Sequence, residues 1–182
     1  MFSYSVDDEI ELAIPRPAFD APALFKLLEA DRSVLSRYLP WVNQTKTAAD
    51  EEQALRLFNT HLGTGQSLNL VVMVAGEVAG MISFNDFAAN QSADVGYWLG
   101  AAFRGRNVMH RAVAGLCELG FSEYGLNKII IRAAIDNAAS NAVARKAGFH
   151  LDGTLRDGEP LADGFHDENE WSLLKREWVS GD

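Results

Sequence analysis

Residues 104–109, Arg104-Gly105-Arg106-Asn107-Val108-Met109, set two positive charges, a glycine and an asparagine between a strand-like run and a helix-like one. The chemistry this offers is anion binding. The first N–H groups of a helix lack intrahelical partners and carry partial positive charge, so a strand-to-helix turn can cradle phosphate. Gly105 lets the backbone approach a ligand closely, and Asn107 tolerates left-handed geometry at modest cost. A surface turn with two solvated arginines fits the same six residues. Neither the full dinucleotide fingerprint nor the Gly-Lys-Ser/Thr of a phosphate loop is present.

Composition narrows the choice. The 182 residues are 48% hydrophobic and 23% charged, which suits one globular domain with a sizeable core. No repeat, low-complexity tract or Gly/Ser linker divides the chain, so residues 1–182 read as a single domain. No apolar run approaches the roughly 18–20 residues of a membrane-spanning helix. The stretch MFSYSVDDEIEL lacks the pattern of a secretory signal. The single cysteine, Cys117, excludes an internal disulfide framework and fits a reducing, cytoplasmic home. With histidines scattered at 61, 110, 150 and 166, no metal site of the usual kind is expected. A net charge of −9 argues against nucleic acid, which asks for a broad basic surface. An acidic body fits cationic ligands, or simply solubility.

The elements that must position the turn follow from periodicity. Residues 10–14 read as a strand, ended by Pro15 and Pro17. Leu24, Leu27, Leu28 and Leu35 predict a helix over 18–38 with a break near Asp31–Ser33. Thr47 or Asp50 caps the next, which ends near Gly63. Residues 68–75 and 78–85 form a hairpin about Gly76-Glu77, and 93–100 a further strand. Val108, Met109, Ala112, Val113 and Leu116 repeat at helical spacing through roughly Tyr124. KIIIRAAI, 128–135, is continuously apolar and predicts a strand covered on both faces. An Ala-rich helix over 138–147 and strands near 149–156 and 165–175 complete a mixed α/β sandwich.

GMISFNDFAANQSADVGYWLGAAFRGRNVM, followed by AAIDNAASNAVARKAGF, resembles the GNAT superfamily of acetyl-CoA-dependent N-acetyltransferases. The family signature Gln/Arg-x-x-Gly-x-Gly/Ala corresponds to Arg104 through Met109, with Asn107 and Met109 standing where the family has small residues. LPWVN, ISFN, VGYWL, the Asn-x-x-Ser-Asn of 137–141, AGF and SLLKREW are similar to the RimJ/RimL branch, which acetylates ribosomal-protein N-termini. The resemblance implies a mixed, mostly antiparallel central sheet of about seven strands flanked by helices. Its central parallel strands, about 93–100 and 128–135, would splay apart. Main-chain amides of Arg104, Gly105, Arg106, Asn107, Val108 and Met109 would hold the diphosphate of acetyl-CoA, and free backbone near Tyr97, Trp98 and Leu99 its pantetheine.

Acetyl transfer to an amine needs a neutral nucleophile, a stabilised oxyanion and often a proton for the departing thiolate. Many GNAT enzymes place a tyrosine four residues before the last Gly-Phe, where this chain has Ala144. The RimL-like branch implies instead Ser140 as donor to the sulfur and Glu159 as proton acceptor, with Asn137 holding the cofactor near its thiol. Read without the resemblance, Asn137 and Ser140 are helix caps and Glu159 a turn carboxylate. The acids of the last hairpin, with Trp41 and Asn85, would wall a slot for a cationic peptide end; a solvated edge strand explains those acids equally well. The expected activity is direct acetyl transfer to a primary amine, best a protein N-terminus. A small-molecule amine acetyltransferase and a non-catalytic acyl-CoA-binding module are the rivals. Homodimers are common in this branch, so one is carried as an expectation, with no direct contact to membrane or nucleic acid.

Overall fold

The computed structural model describes residues 1–178. Its strands are β1 (Ser3–Ser5), β2 (Ile10–Ala13), β3 (Leu68–Val74), β4 (Glu77–Ala88), β5 (Ser92–Leu99), β6 (Lys128–Ala134), β7 (His150–Leu161) and β8 (Gly164–Leu174). They form one sheet in the order β1-β2-β3-β4-β5-β6-β8-β7. Only the β5–β6 neighbours run parallel. The helices are α1 (Pro17–Ala30), α2 (Arg32–Leu35), α3 (Ala48–Gly63), α4 (Val108–Ser122) and α5 (Ala138–Lys146).

Most elements fall where periodicity put them. The first helix breaks at Asp31, and Thr47 and Asp50 close a capping box on α3. The eighth strand is β1, whose three residues are too few to show a pattern. The β3–β4 turn sits one residue early, on Ala75-Gly76, both with positive φ (+49° and +81°). That is the geometry a two-residue hairpin prefers. β7 runs on to Leu161, past the expected 156, because an irregularity lets it resume pairing with β8.

One expectation fails. β6 is not covered on both faces: Ile129 and Ile131 are fully buried, but Arg132 is exposed and Lys128 and Ile130 are half-buried. The outward face carries ion pairs instead, from Arg132 to Asp94 (3.2 Å) and Glu170 (2.8 Å), and from Lys128 to Asp152 (2.8 Å).

The parallel pair is short. β5 meets β6 at Ser92–Lys128, Ala93–Ile129 and Asp94–Ile130, and no further. β5 stays with β4 as far as Leu99, opposite Gly80, while β6 stays with β8 as far as Ala134, opposite Glu168. Gly80 is required there, since a Cβ would lie 2.2 Å from the Trp98 carbonyl oxygen. The sheet therefore opens into a V, and over Val95–Leu99 the edge of β5 facing away from β4 has no strand beside it among the described residues. Below the V, α4 buries Val108, Ala112, Val113, Leu116 and Phe121 in the same core as Phe84, Ile129 and Ile131.

Asn141 fixes the far arm. It is buried, and its Nδ2 donates to the carbonyls of Ala134 and Asn137, both at 2.9 Å. Its Oδ1 accepts from Asn169 Nδ2 (2.8 Å) and Trp171 Nε1 (2.9 Å). One side chain thus ties the start of α5 to β6 and β8. Asn141→Ala strands several of these buried groups, so we expect a loss of about 2–4 kcal/mol of unfolding free energy, read from denaturant curves. A loss under about 0.5 kcal/mol would be that of an ordinary surface site and would contradict the anchoring role.

Candidate active site

The V encloses a cavity of about 730 Å³. One wall is β5 from Asp94 to Leu99, and the other comprises Arg132–Ala134 of β6 with Glu159 and Glu168 of the β7–β8 hairpin. The turn before α4 and the first residues of α5 also line it.

The turn has the backbone its residues suggested. Gly105 adopts φ +76° and Asn107 φ +58°, in the left-handed region. No side chain caps α4, and its first bond runs from Arg111 N–H to the Asn107 carbonyl (3.2 Å), so the N–H groups of residues 108–110 lack intrahelical partners. The arginines do not serve as free charges. Arg104 donates from Nε to the Leu99 carbonyl (2.9 Å) and pairs with the Asp31 carboxylate. Arg106 lies outside the cavity lining and pairs with Glu9 (2.5 Å). Both brace the turn. The cation that reaches the turn is Lys146, at the end of α5, whose Nζ donates to Asn107 Oδ1 at 2.6 Å. The sequence gives its charge but not its partner across 39 positions.

Tyr97 and Ser140 meet across the V. Their hydroxyls are 2.8 Å apart, and the tyrosine also lies 3.3 Å from the Ser140 carbonyl oxygen. Burial pushes the Tyr97 hydroxyl up to about 12, against the opposing pull of Ser140, so it is a phenol throughout the neutral range. A phenolic hydroxyl thus stands in the site even though Ala144 is a fully buried core residue. Asn137 is the N-cap of α5, its Oδ1 accepting from the Ser140 N–H at 3.2 Å, and it also lines the cavity. The capping role and the site location coexist.

The acidic arm differs from expectation in one residue. Glu159 lines the cavity, and beside it stands Glu168, only 6% exposed. Burial, then a hydrogen bond and the charge of Glu159, push Glu168 up to about 7 against the pull of Arg132. Asn85 lines the cavity as well, but its Oδ1 accepts from Ser83 Oγ (2.7 Å) and its Nδ2 donates to Asp94 (2.9 Å). Trp41 does not reach the cavity. It tilts against Trp98 with ring centroids 6.4 Å apart, behind the β5 wall. His166 faces Asp163 and Asp136 (3.0 and 3.6 Å), and burial pushes the Cys117 thiol up, away from reactivity. Among the described residues, no cluster of His, Cys, Asp and Glu suits a metal ion, and no helix is long and apolar enough to cross a membrane.

Residues 10–150 match the family model described as an acetyltransferase (GNAT) domain. The chain is 27% identical over 152 residues to the ribosomal-protein-serine acetyltransferase of Escherichia coli (strain K12), covering 83% of this chain and 85% of that one. Among solved structures, it resembles RimL, a ribosomal L7/L12 alpha-N-protein acetyltransferase with coenzyme A, at TM-score 0.92 and 25% identity over 97% and 100% of the two chains. It also resembles the microcin C7 self-immunity acetyltransferase MccE, in complex with acetyl-CoA and AMP, at TM-score 0.87 and 29% identity over 93% and 94%. The split sheet, the uncapped helix start after it and these likenesses lead to one conclusion: this chain belongs to the GNAT acetyltransferase family and is an acetyl-CoA-dependent N-acetyltransferase.

Proposed function

We propose that the chain transfers acetyl directly from acetyl-CoA to the N-terminal amine of a protein, with the site residues acting as follows. The observation that carries this reading is the juxtaposition in one cavity of the free β5 edge, the Tyr97–Ser140 hydroxyl pair and the Glu159 carboxyl. The backbone of Tyr97, Trp98 and Leu99 adds the pantetheine chain as a strand. The amides from Arg104 to Met109 hold the diphosphate, with Lys146 adding the charge that the pinned arginines do not. The bound acetyl-CoA supplies an activated thioester.

Either hydroxyl of the Tyr97–Ser140 pair can donate to the other, and with Tyr97 as donor the serine proton is free for the departing sulfur. Asn137, on the same helix start, fixes the orientation of that serine. Glu159 takes a proton from the incoming ammonium so that its nitrogen can attack. Asn85 holds Asp94 on the acceptor wall, and Trp41 acts through Trp98 rather than by touching the acceptor. The names of the ribosomal-protein relatives support a peptide acceptor. The similarity to MccE, whose name mentions no ribosomal protein, supports a small-molecule amine as the second reading.

Two variants and one panel test this. Gly105→Ala meets no neighbour within 4 Å but must hold φ +76°, so its cost is backbone strain alone. Without ligand the alanine turn relaxes out of that geometry and binding must restore it, so we expect acetyl-CoA affinity to fall about tenfold by calorimetry, the equivalent of about 1.4 kcal/mol of left-handed strain. An unchanged Kd would remove the turn from cofactor binding. Ser140→Ala should lower kcat about a hundredfold while acetyl-CoA affinity stays within about twofold; equal kcat would end its role as donor. CoA release assayed against N-terminal peptides and small amines should favour peptides. Turnover of small amines alone selects the second reading, and binding without any turnover refutes catalysis.

A further inference from the structure

The β7–β8 hairpin is built irregularly at the cavity. Leu155 pairs with Glu168 and Glu159 with His166, so Arg156, Asp157 and Gly158 of β7 stand against Asp167 alone on β8. Asp157 takes φ +52°, and its N–H donates to Asp167 Oδ1 at 3.0 Å, which holds the extra residues out. Such bulges re-aim side chains. Here Glu159 and Glu168 come to line the same cavity. Gly158 is needed for the approach, since a Cβ there would sit 2.8 Å from Glu168 Cβ and 3.1 Å from its Oε2. Glu168 borders the cavity and is 6% exposed, and Arg132 gives its hydrogen bonds to Asp94 and Glu170. A carboxyl so largely withdrawn from water ionises less readily than a solvated one.

We propose that Glu159 and Glu168 form a single proton acceptor, the proton surrendered by the acceptor's ammonium being held between their two carboxyls. This rests on the amine-acetylating reading of the site and adds Glu168 to it as a residue acting through Glu159. The charges around the pair are Arg132 on β6, Asp94 on β5, Glu170 on β8, and His166 opposite Glu159, itself engaged with Asp136 and Asp163. Arg132 is divided between Asp94 and Glu170 and so does not neutralise the pair. Two carboxyls that share one cavity wall and feel each other's charge cannot both stay ionised as readily as one alone, so the second ionisation rises into the neutral range. Glu168 is pushed in that direction, to about 7, by burial first and then by Glu159. A base poised there is matched to an enzyme working near neutrality, which an isolated carboxylate is not.

In balance, the ammonium loses one proton to the fully ionised pair, whose charge falls from two to one. The freed nitrogen lone pair forms the bond to the acetyl carbon as the carbon–sulfur bond breaks, and the thiolate leaves with that electron pair. The nitrogen's second proton reaches the sulfur through the Tyr97–Ser140 hydroxyls, and its third stays on the amide. The pair returns its proton to water.

The test is a carbon-13 NMR titration of the glutamate side chains, which needs no acceptor, alongside kinetics. In the wild type two glutamates should titrate near pH 7: Glu51, which burial alone pushes up on α3, and Glu168. In Glu159→Gln only the Glu168 step, assigned by its loss in Glu168→Gln, should drop by about one pH unit or more. Should the step lost in Glu168→Gln lie below about pH 6, or should it ignore Glu159→Gln, the pair does not exist. With the acceptor the panel identifies, Glu168→Gln should move the acidic limb of kcat/KM to lower pH and leave acetyl-CoA affinity within about twofold. An unmoved limb overturns the proposal. If no amine is turned over, the acetyl-acceptor reading fails, while the titration still decides whether the two carboxyls share a proton.

Discussion

Three residue pairs join β5 to β6, and then each strand keeps a different partner: β5 follows β4, β6 follows β8. Everything functional depends on that parting. A continuous parallel ladder would satisfy the backbone of Val95–Leu99 internally and leave nothing for a ligand to pair with. Instead the edge stays open but is not exposed to aggregation, because it faces the inside of a V floored by α4. The opening is held by features on both arms. Gly80 lets β4 approach Trp98 and Leu99 closely, and Asn141 spreads four hydrogen bonds over α5, β6 and β8.

The same parting brings distant residues together. Tyr97 projects from one arm and Ser140 from the other, 43 positions apart, and their hydroxyls meet at 2.8 Å. On the proposed reading, a phenol and a serine so joined supply the proton-donating group that Ala144 does not. On the hairpin, an interruption of regular pairing does comparable work, setting Glu159 and Glu168 on one cavity wall. Irregular backbone thus marks both the anion end of the cavity, at Gly105 and Asn107, and the acidic end, at Asp157.

Local chemistry was legible in the sequence where a residue's job is set by its own backbone. Asn107 was recognisable as a left-handed residue, and φ +58° agrees; α4's apolar spacing placed Val108, Ala112, Val113 and Leu116 in the core. What sequence could not give was pairing across the chain. Arg104 and Arg106 looked like free charges until Asp31 and Glu9 were seen to hold them. Trp41 looked like an acceptor wall but stands behind Trp98. Glu168 was one acid among several, and only the bulge singles it out. Asn141 did leave a trace, a poor helix former inside a nine-residue helix, where such a residue usually has a hydrogen-bonding reason.

The central claim concerns main-chain donors, which side-chain substitution probes only indirectly. Backbone amide hydrogen exchange, followed residue by residue with and without acetyl-CoA, reads them directly. Slowed exchange confined to Val95–Leu99 and to residues 105–110 is what an open strand edge and an uncapped helix start predict on taking up the cofactor. Unchanged exchange in both segments while the ligand is bound, with protection appearing elsewhere, would contradict the account.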